Sequence, residues 1–478
     1  MKRFLSIVTL FLISLVMVSC GNKEKNDDKR ITLTYSAWNL GTNDPDSINM
    51  ERLMLKEFEK AYPEYKIQVI ERPKTPGTSD DQPWNEFLGA RASVGTLPDV
   101  FLSDNLPYYV QNKWALDLTD LVKNDPEYAN ISKDITNTCI LNNKTMAIPS
   151  AVHYMGYVVN KSLYEDAAIT VPTTETTMDQ LLDSTKKVAK HSGTTGDGIV
   201  GLEGIEHILH WYPAQLNENY QWFTFDGTKY NLDSDEFVQT VNLYRELRTS
   251  SNYVLEALQD EAGLEGSTIN LEEIFGTNDY FNAGNIACKW YFSYDFGWMQ
   301  QKIDDGIYTW DLDFIGIPAV GDSKRVPATV DLMTIASTTK NKEGAYKLAK
   351  WMSFGKEGYA KRIELSNTVE GISKVNFAPL QNDSELLDQF FEIYHSFPGL
   401  RTIVERGSVL LEPVKFLVGY NDVRYHGVYD GENKMGEVIS KLMIGEVNIT
   451  DIKTQLNTQA NAIYAAAKES FDQIVANK

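Results

Sequence analysis

The chain holds 478 residues with a formal net charge of -21, from 45 Lys and Arg against 66 Asp and Glu. That balance excludes a nucleic-acid partner, because neutralising phosphates requires an excess of Lys and Arg. The length exceeds what one hydrophobic core comfortably serves, so two lobes are expected.

Lys2 and Arg3 open the chain, and an apolar run from Phe4 to Val18 follows, broken by Ser6, Thr9 and Ser14. Such a run is shorter than the roughly twenty residues a membrane-spanning helix needs. Basic start, short apolar core and small residue before the break predict a secretory signal over residues 1–19. Met17 to Cys20 resembles the bacterial lipobox, which implies a diacylated Cys20 and cleavage before it. Gly21 to Arg30 is charged and has no core-forming residue, so 20–30 is expected to be a lipid-bearing, extended tether. An extracytoplasmic protein anchored to the cell membrane is the expectation.

Ile31, Leu33 and Tyr35 alternate towards Trp38 and predict a strand with one face inward. Met50, Leu53, Met54, Phe58 and Ala61 recur at helical spacing, Pro63 stops the helix, and Tyr65 to Ile70 alternates again. This β-α-β order implies parallel strands in an α/β sheet. Trp84 to Val94 reads as a second helix and Asp99 to Leu102 as a third strand, with Ser103, Asp104 and Asn105 at its end. Ligands of open α/β sheets bind outside the carboxyl ends of strands, which puts Trp38 and Asp104 at matching edges.

Met146 to Asn160 is a long extended segment, suited to a strand that leaves one lobe and enters another. Thr177 to Ala189 and Ile452 to Ala476 carry helical patterns. Cys139 and Cys288 lie far apart, and a disulfide between lobes would lock any hinge. Both are expected to be buried free thiols.

Four separated segments resemble the extracellular solute-binding protein family 1, the sugar-binding components of ABC importers akin to maltose-binding protein. They are the opening strand to Trp38 with the helix and strand to Ile70; Leu97 to Phe101 with Asn112 to Leu121; Ala147 to Leu163 with Pro172 and its helix; and Phe281 to Cys288, Ile315 to Pro318 and Ile335 to Met352. The likeness is weakest over residues 380 to 450. It implies a two-lobed, type II periplasmic-binding-protein-like α/β fold, with discontinuous lobes joined by hinge strands. Carried over, the first lobe holds 31–152 and 325–380, and the second holds 153–324 and 381–478. It also implies a monomer that captures a sugar or oligosaccharide by hinge closure and hands it to permease subunits.

A sugar offers C–H faces that match aromatic rings and hydroxyls that need polar partners. The segments singled out above supply both: Trp38-Asn39, Asp104-Asn105, His153-Tyr154, Trp211 and Tyr294-Asp295. By resemblance, Trp38, Asp104, His153, Tyr294 and Asp331 match family ligand contacts. Trp38 or Tyr294 is expected to stack on a ring, and Asp104, Asp295 and Asp331 to accept hydroxyls. Arg424 is a further candidate, able to fork onto vicinal hydroxyls. For each aromatic the competing role is a core position, and for Asp104 a helix cap.

Three rival readings remain open on sequence. A surface glycosidase needs only two carboxylates, which abound here, though Gly-x-Ser-x-Gly and Gly-x-x-x-x-Gly-Lys are absent. The same fold could instead take a sugar phosphate, polyamine or peptide, or serve as an anchored adhesin with no transport partner. Glu206, His207 and His210 lack the His-Glu-x-x-His spacing, so no metal and no cofactor is expected.

Overall fold

The computed structural model describes residues 29–41, 48–191, 195–319 and 325–476. The expected signal, Cys20 and nearly all of the tether lie outside these residues. The strands are β1 (Ile31–Ser36), β2 (Tyr65–Val69), β3 (Val100–Ser103), β4 (Ile140–Leu141), β5 (Lys144–Thr145), β6 (Ile148–Asn160), β7 (Val200–Glu203), β8 (Ile286–Phe292), β9 (Leu312–Gly316), β10 (Val326–Ile335) and β11 (Val409–Leu411). Among the described residues, nine of them form one sheet with the path β2-β1-β3-β10-β6-β8-β7. There β11 pairs with β10 and β9 with β6, while β4 and β5 make a separate hairpin.

The opening β-α-β unit forms as its periodicity dictates. β1 and β2 run parallel from the Ile31–Tyr65 pair to the Tyr35–Val69 pair. The crossover helix Met50–Ala61 buries Met50, Met54, Leu55 and Phe58 on one face. Asn49 caps it by accepting the Arg52 amide at 3.1 Å.

Two strands serve both halves of the molecule. The first part of β6 pairs antiparallel with β10, from Ile148–Met333 to Tyr154–Ala328. Its last part pairs with β8, from Met155–Phe292 to Val159–Cys288, and with β9. All thirteen residues of β6 are buried, the signature of a strand covered on both faces. β10 divides its partners likewise: Val326–Ala328 meet β11, and Leu332–Ile335 meet β3. Where β6 enters the second half, a Cβ on Gly156 would lie 2.4 Å from the Gly316 carbonyl oxygen, so only glycine admits this close approach.

Around these shared strands lie two large cores and a smaller one built on Trp84, Phe87, Phe101 and Tyr109. Leu33, Phe58, Val100 and Ile148 belong to the first, and Tyr157, Trp211, Phe237 and Cys288 to the second. Cys139 and Cys288 are buried and free, one in each large core. Gln381 bridges to Ile131 and donates to Glu127 at 2.9 Å, so residues just beyond 380 stay packed on the first half. The helix Pro398–Arg406 packs on β9 instead, with Phe397 stacked on Phe296 at 4.8 Å. The stretch from Ile393 to Phe397 thus links residues packed near Ile131 to residues packed on β9. The last helix, Ile449–Ala476, returns to touch the helix Leu106–Gln111 of the first half.

Candidate functional site

A cavity of about 610 Å³ opens where the strands of the first half end against the shared strands. This is the position that open α/β sheets reserve for ligands.

Its first wall is aromatic. Trp38 follows β1 and meets Trp84 edge-on, centroids 5.6 Å apart and planes at 83°. Trp84 is fixed by its indole N–H, which donates to the Leu102 carbonyl at 3.0 Å. The Arg72 guanidinium lies 5.5 Å from the Trp84 ring and is paired with Asp81 at 2.8 Å. Asp104, just past β3, accepts a hydrogen bond from the Tyr109 hydroxyl. Burial raises its carboxyl above the usual range, with the Tyr109 hydrogen bond and the Lys415 charge opposing.

The floor comes from the shared strands. Side chains alternate across a strand, so Thr329, Asp331 and Met333 of β10 reach the cavity together, as do Ala151 and His153 of β6. Asp331 is gripped from two sides. His153 Nε2 lies 3.3 Å from Oδ2, and the Lys415 ammonium donates to Oδ1. Burial opposes ionisation of Asp331, but the His153 hydrogen bond and the Lys415 charge outweigh it and hold the carboxyl below its ordinary range.

At the deep end Arg362 meets both oxygens of Glu51, Nη2 to Oε2 at 3.1 Å, and also donates to the Met352 carbonyl at 3.3 Å. Its guanidinium lies 5.4 Å from the Phe377 ring. The opposite wall is Tyr294, on the single turn Ser293–Asp295 after β8 and 43% exposed. It stacks on Phe292 at 5.0 Å and meets His153 edge-on at 5.4 Å. Burial and the carboxylates of Asp295, Glu412 and Asp331 push its hydroxyl up to about 12, so it stays a neutral donor and acceptor.

Trp38, Asn39, Asp104, His153, Tyr294 and Asp331 thus converge on one cavity. The other expected contacts sit elsewhere. Asn105 caps the helix Leu106–Gln111, accepting the Tyr108 amide at 3.2 Å. Tyr154 follows His153 on β6 and points to the opposite, buried face, its amide donating to Ser293 Oγ at 3.0 Å. Trp211 is 0% exposed and lies parallel to Trp290 at 6.3 Å, inside the second core. Asp295 stands beside the cleft and accepts the Trp298 indole N–H at 3.5 Å. Arg424 turns inward, donating to His210 Nε2 at 2.9 Å with Tyr425 against its guanidinium.

Lys415, Glu51, Arg362, Thr329 and Met333 line the cavity without having been singled out in the sequence. Alternation from Asp331 would have reached Thr329 and Met333, whereas no local pattern marks the other three. Among the described residues, no group of three or more His, Cys, Asp or Glu is placed to hold a metal ion.

A cleft at the carboxyl edge of a mixed sheet, floored by strands shared between two cores and walled from both, defines a two-lobed binding protein of the periplasmic type II class. The profile of the bacterial extracellular solute-binding proteins matches residues 45–354, and the chain belongs to that family. No protein of curated function matches the sequence. Solved structures share the fold. An ABC substrate-binding protein of Listeria monocytogenes, in complex with cycloalternan, is 18% identical with a TM-score of 0.62, covering 91% of this chain and 99% of its own. The cyclic alpha-maltosyl-1,6-maltose binding protein of Arthrobacter globiformis is 14% identical with a TM-score of 0.62, over 91% and 99%. The sugar-binding protein MalE of Xanthomonas citri is 13% identical with a TM-score of 0.63, over 93% and 100%.

Proposed function

We propose that this chain is the solute-binding component of an ABC importer and captures a neutral sugar or oligosaccharide in the cleft between its halves. One observation carries this reading: the cleft is ring-walled on both sides, and its cations are already engaged by carboxylates of the chain. Glu51 is matched by Arg362, Asp331 by Lys415, and Arg72 by Asp81 outside the cleft, while Asp104 is held by the Tyr109 hydroxyl. A ligand entering such a gap meets mostly engaged hydrogen-bonding groups, which suits hydroxyls and apolar C–H faces. The sugars named with the structural relatives point the same way.

In this reading Trp38 and Tyr294 cover opposite faces of a sugar ring, and Asp104 and Asp331 accept its hydroxyls. A ligand that touches both halves binds the closed arrangement better and shifts the population towards it, with β6 and β10 as the hinge. The importer's permease then reads the closed shape, while a lipid on Cys20 keeps the monomer at the outer face of the membrane.

Raised Asp104 and lowered Asp331 also resemble the split carboxylates of a glycosidase. Both Asp331 oxygens are already engaged by His153 and Lys415, which favours a positioning role over nucleophilic work.

A thermal-shift panel on the protein without its first 28 residues tests the proposal, using neutral mono- and oligosaccharides, sugar phosphates and spermidine. Ligands of the folded state raise the melting temperature with concentration. A neutral saccharide should do so and be recovered intact. No response to any saccharide, or cleavage of the one that binds, would overturn the reading.

A further inference from the structure

Asp331 sits at the base of the cleft, on a strand shared by both halves, in a cavity also lined by the rings of Tyr294, Phe377 and Trp38. A carboxylate among aromatic faces is the chemistry that captures an ammonium ion, by charge and by the ring quadrupole together. Here that place is already filled from within. Lys415 donates its ammonium to Asp331 Oδ1 and lies 3.4 Å from Thr329 Oγ1. Both side chains are only 17% exposed. Lys415 belongs to the segment after β11, beyond the stretch 45–354 that matches the family profile. The segment is held in place because the Lys415 carbonyl accepts the Leu106 amide at 2.8 Å.

We propose that Lys415 is a specificity-determining residue: its ammonium is a built-in occupant that closes Asp331 to cationic solutes and leaves the cleft matched to neutral, hydroxylated ones. This rests on the cleft being the ligand site. A ligand ammonium reaching Asp331 would have to displace an intramolecular one, so it would lose its hydration with no net gain in ion pairs. A hydroxyl can instead share the free lone pairs of Asp331 without breaking the pair. His153, on the other carboxylate oxygen, fixes the direction in which those lone pairs point. Glu51 is closed by Arg362 in the same way, so the two carboxylates of the floor and deep end each carry their own cation.

The test compares wild type, Lys415→Met, Lys415→Arg and Asp331→Asn by calorimetric titration at one ionic strength, each checked for a cooperative melt. Spermidine and D-glucuronate are the probes. Wild type and Lys415→Arg should ignore spermidine, and Lys415→Met should bind it at least ~10-fold more tightly, because an unpaired carboxylate is exposed to the ligand. Asp331→Asn should gain D-glucuronate by a similar factor, since Lys415 then loses its contact partner and keeps only the charges of Glu412 and Asp104 beyond ion-pair distance. A folded Lys415→Met that answers spermidine as wild type does would overturn the proposal. Were that variant not to fold, an Asp331→Asn protein with no gain for D-glucuronate would overturn it. Tight spermidine binding by wild type or Lys415→Arg would do the same. The amine arms need no saccharide, so a wild type that binds none would sink the functional reading alone.

Discussion

Trp38 with Trp84 in the first half, and Trp211 with Trp290 in the second, are tryptophan pairs set among charged side chains. Only the first pair lines the cleft. Trp290 is sealed on its faces: His207 stacks on it at 4.6 Å with planes at 16°, and Trp211 lies parallel at 6.3 Å. The backbone closes in as well, since a Cβ on Gly204 would lie 2.2 Å from the Trp290 Cβ. Trp38 is met by Trp84 edge-on and stays half-buried at the end of β1. What separates Trp38 from Trp211 is place in the fold. Trp38 lies just past the carboxyl end of β1 and faces the gap between the halves, while Trp211 sits inside the helix Ile208–Leu216 and fills a core.

The comparison breaks most visibly under substitution. Arg362→Met should cost the most stability, about 3–5 kcal/mol in urea denaturation, because it leaves the buried Glu51 without its cation. Trp211→Ala should cost a similar amount, about 3–5 kcal/mol, by opening a cavity in the second core. Trp38→Ala should leave the melt within about 1 kcal/mol of wild type yet weaken saccharide binding about tenfold or more. Equal destabilisation by the two tryptophan substitutions would erase the distinction between wall and core.

A smaller effect concerns pH. Glu256 accepts the Gly204 and Ile205 amides at 2.7 and 3.1 Å in the second half, and burial pushes its carboxyl from 4.5 up to about 7. A raised carboxyl adds stability fully below its ordinary value and loses it as pH rises through the folded one. Wild type should therefore lose about 1–2 kcal/mol relative to Glu256→Gln between pH 5 and pH 8, read from paired urea melts. Neighbouring Glu206 does not cancel this. Burial works against its ionisation, but the His207 hydrogen bond and charge, with a further hydrogen bond from Glu256, hold it low, and its charge in turn helps to raise Glu256. Parallel pH profiles for the two proteins would contradict the assignment. Least of all, Tyr294→Phe should change saccharide affinity by a few-fold at most, since the ring that covers the sugar remains.

Much of this architecture could be read from alternation and helical spacing. β1, β2 and their crossover helix, the long β6, and the helix Met178–Val188 with its Thr177–Gln180 capping box all follow from local pattern. The places of Trp38, Asp104 and His153 follow from the rule about strand ends and from the family likeness. What stayed hidden joins residues remote in sequence. Glu51 and Arg362 are 311 residues apart, and Asp331 and Lys415 are 84 apart. No periodicity carries such pairings, because they exist only once distant segments of the chain have folded together. Trp211 and Arg424 show the converse: a polar neighbour in sequence says nothing about whether a ring or guanidinium ends at the gap or inside a core.

The most direct measurement is a crystal structure of the protein with the tightest neutral saccharide found in the thermal panel. The account requires a sugar ring on the Trp38 indole, Tyr294 closing over it from the other half, and a hydroxyl within hydrogen-bonding distance of Asp331. Density for the sugar outside this cleft, with Trp38 uncovered, would contradict it.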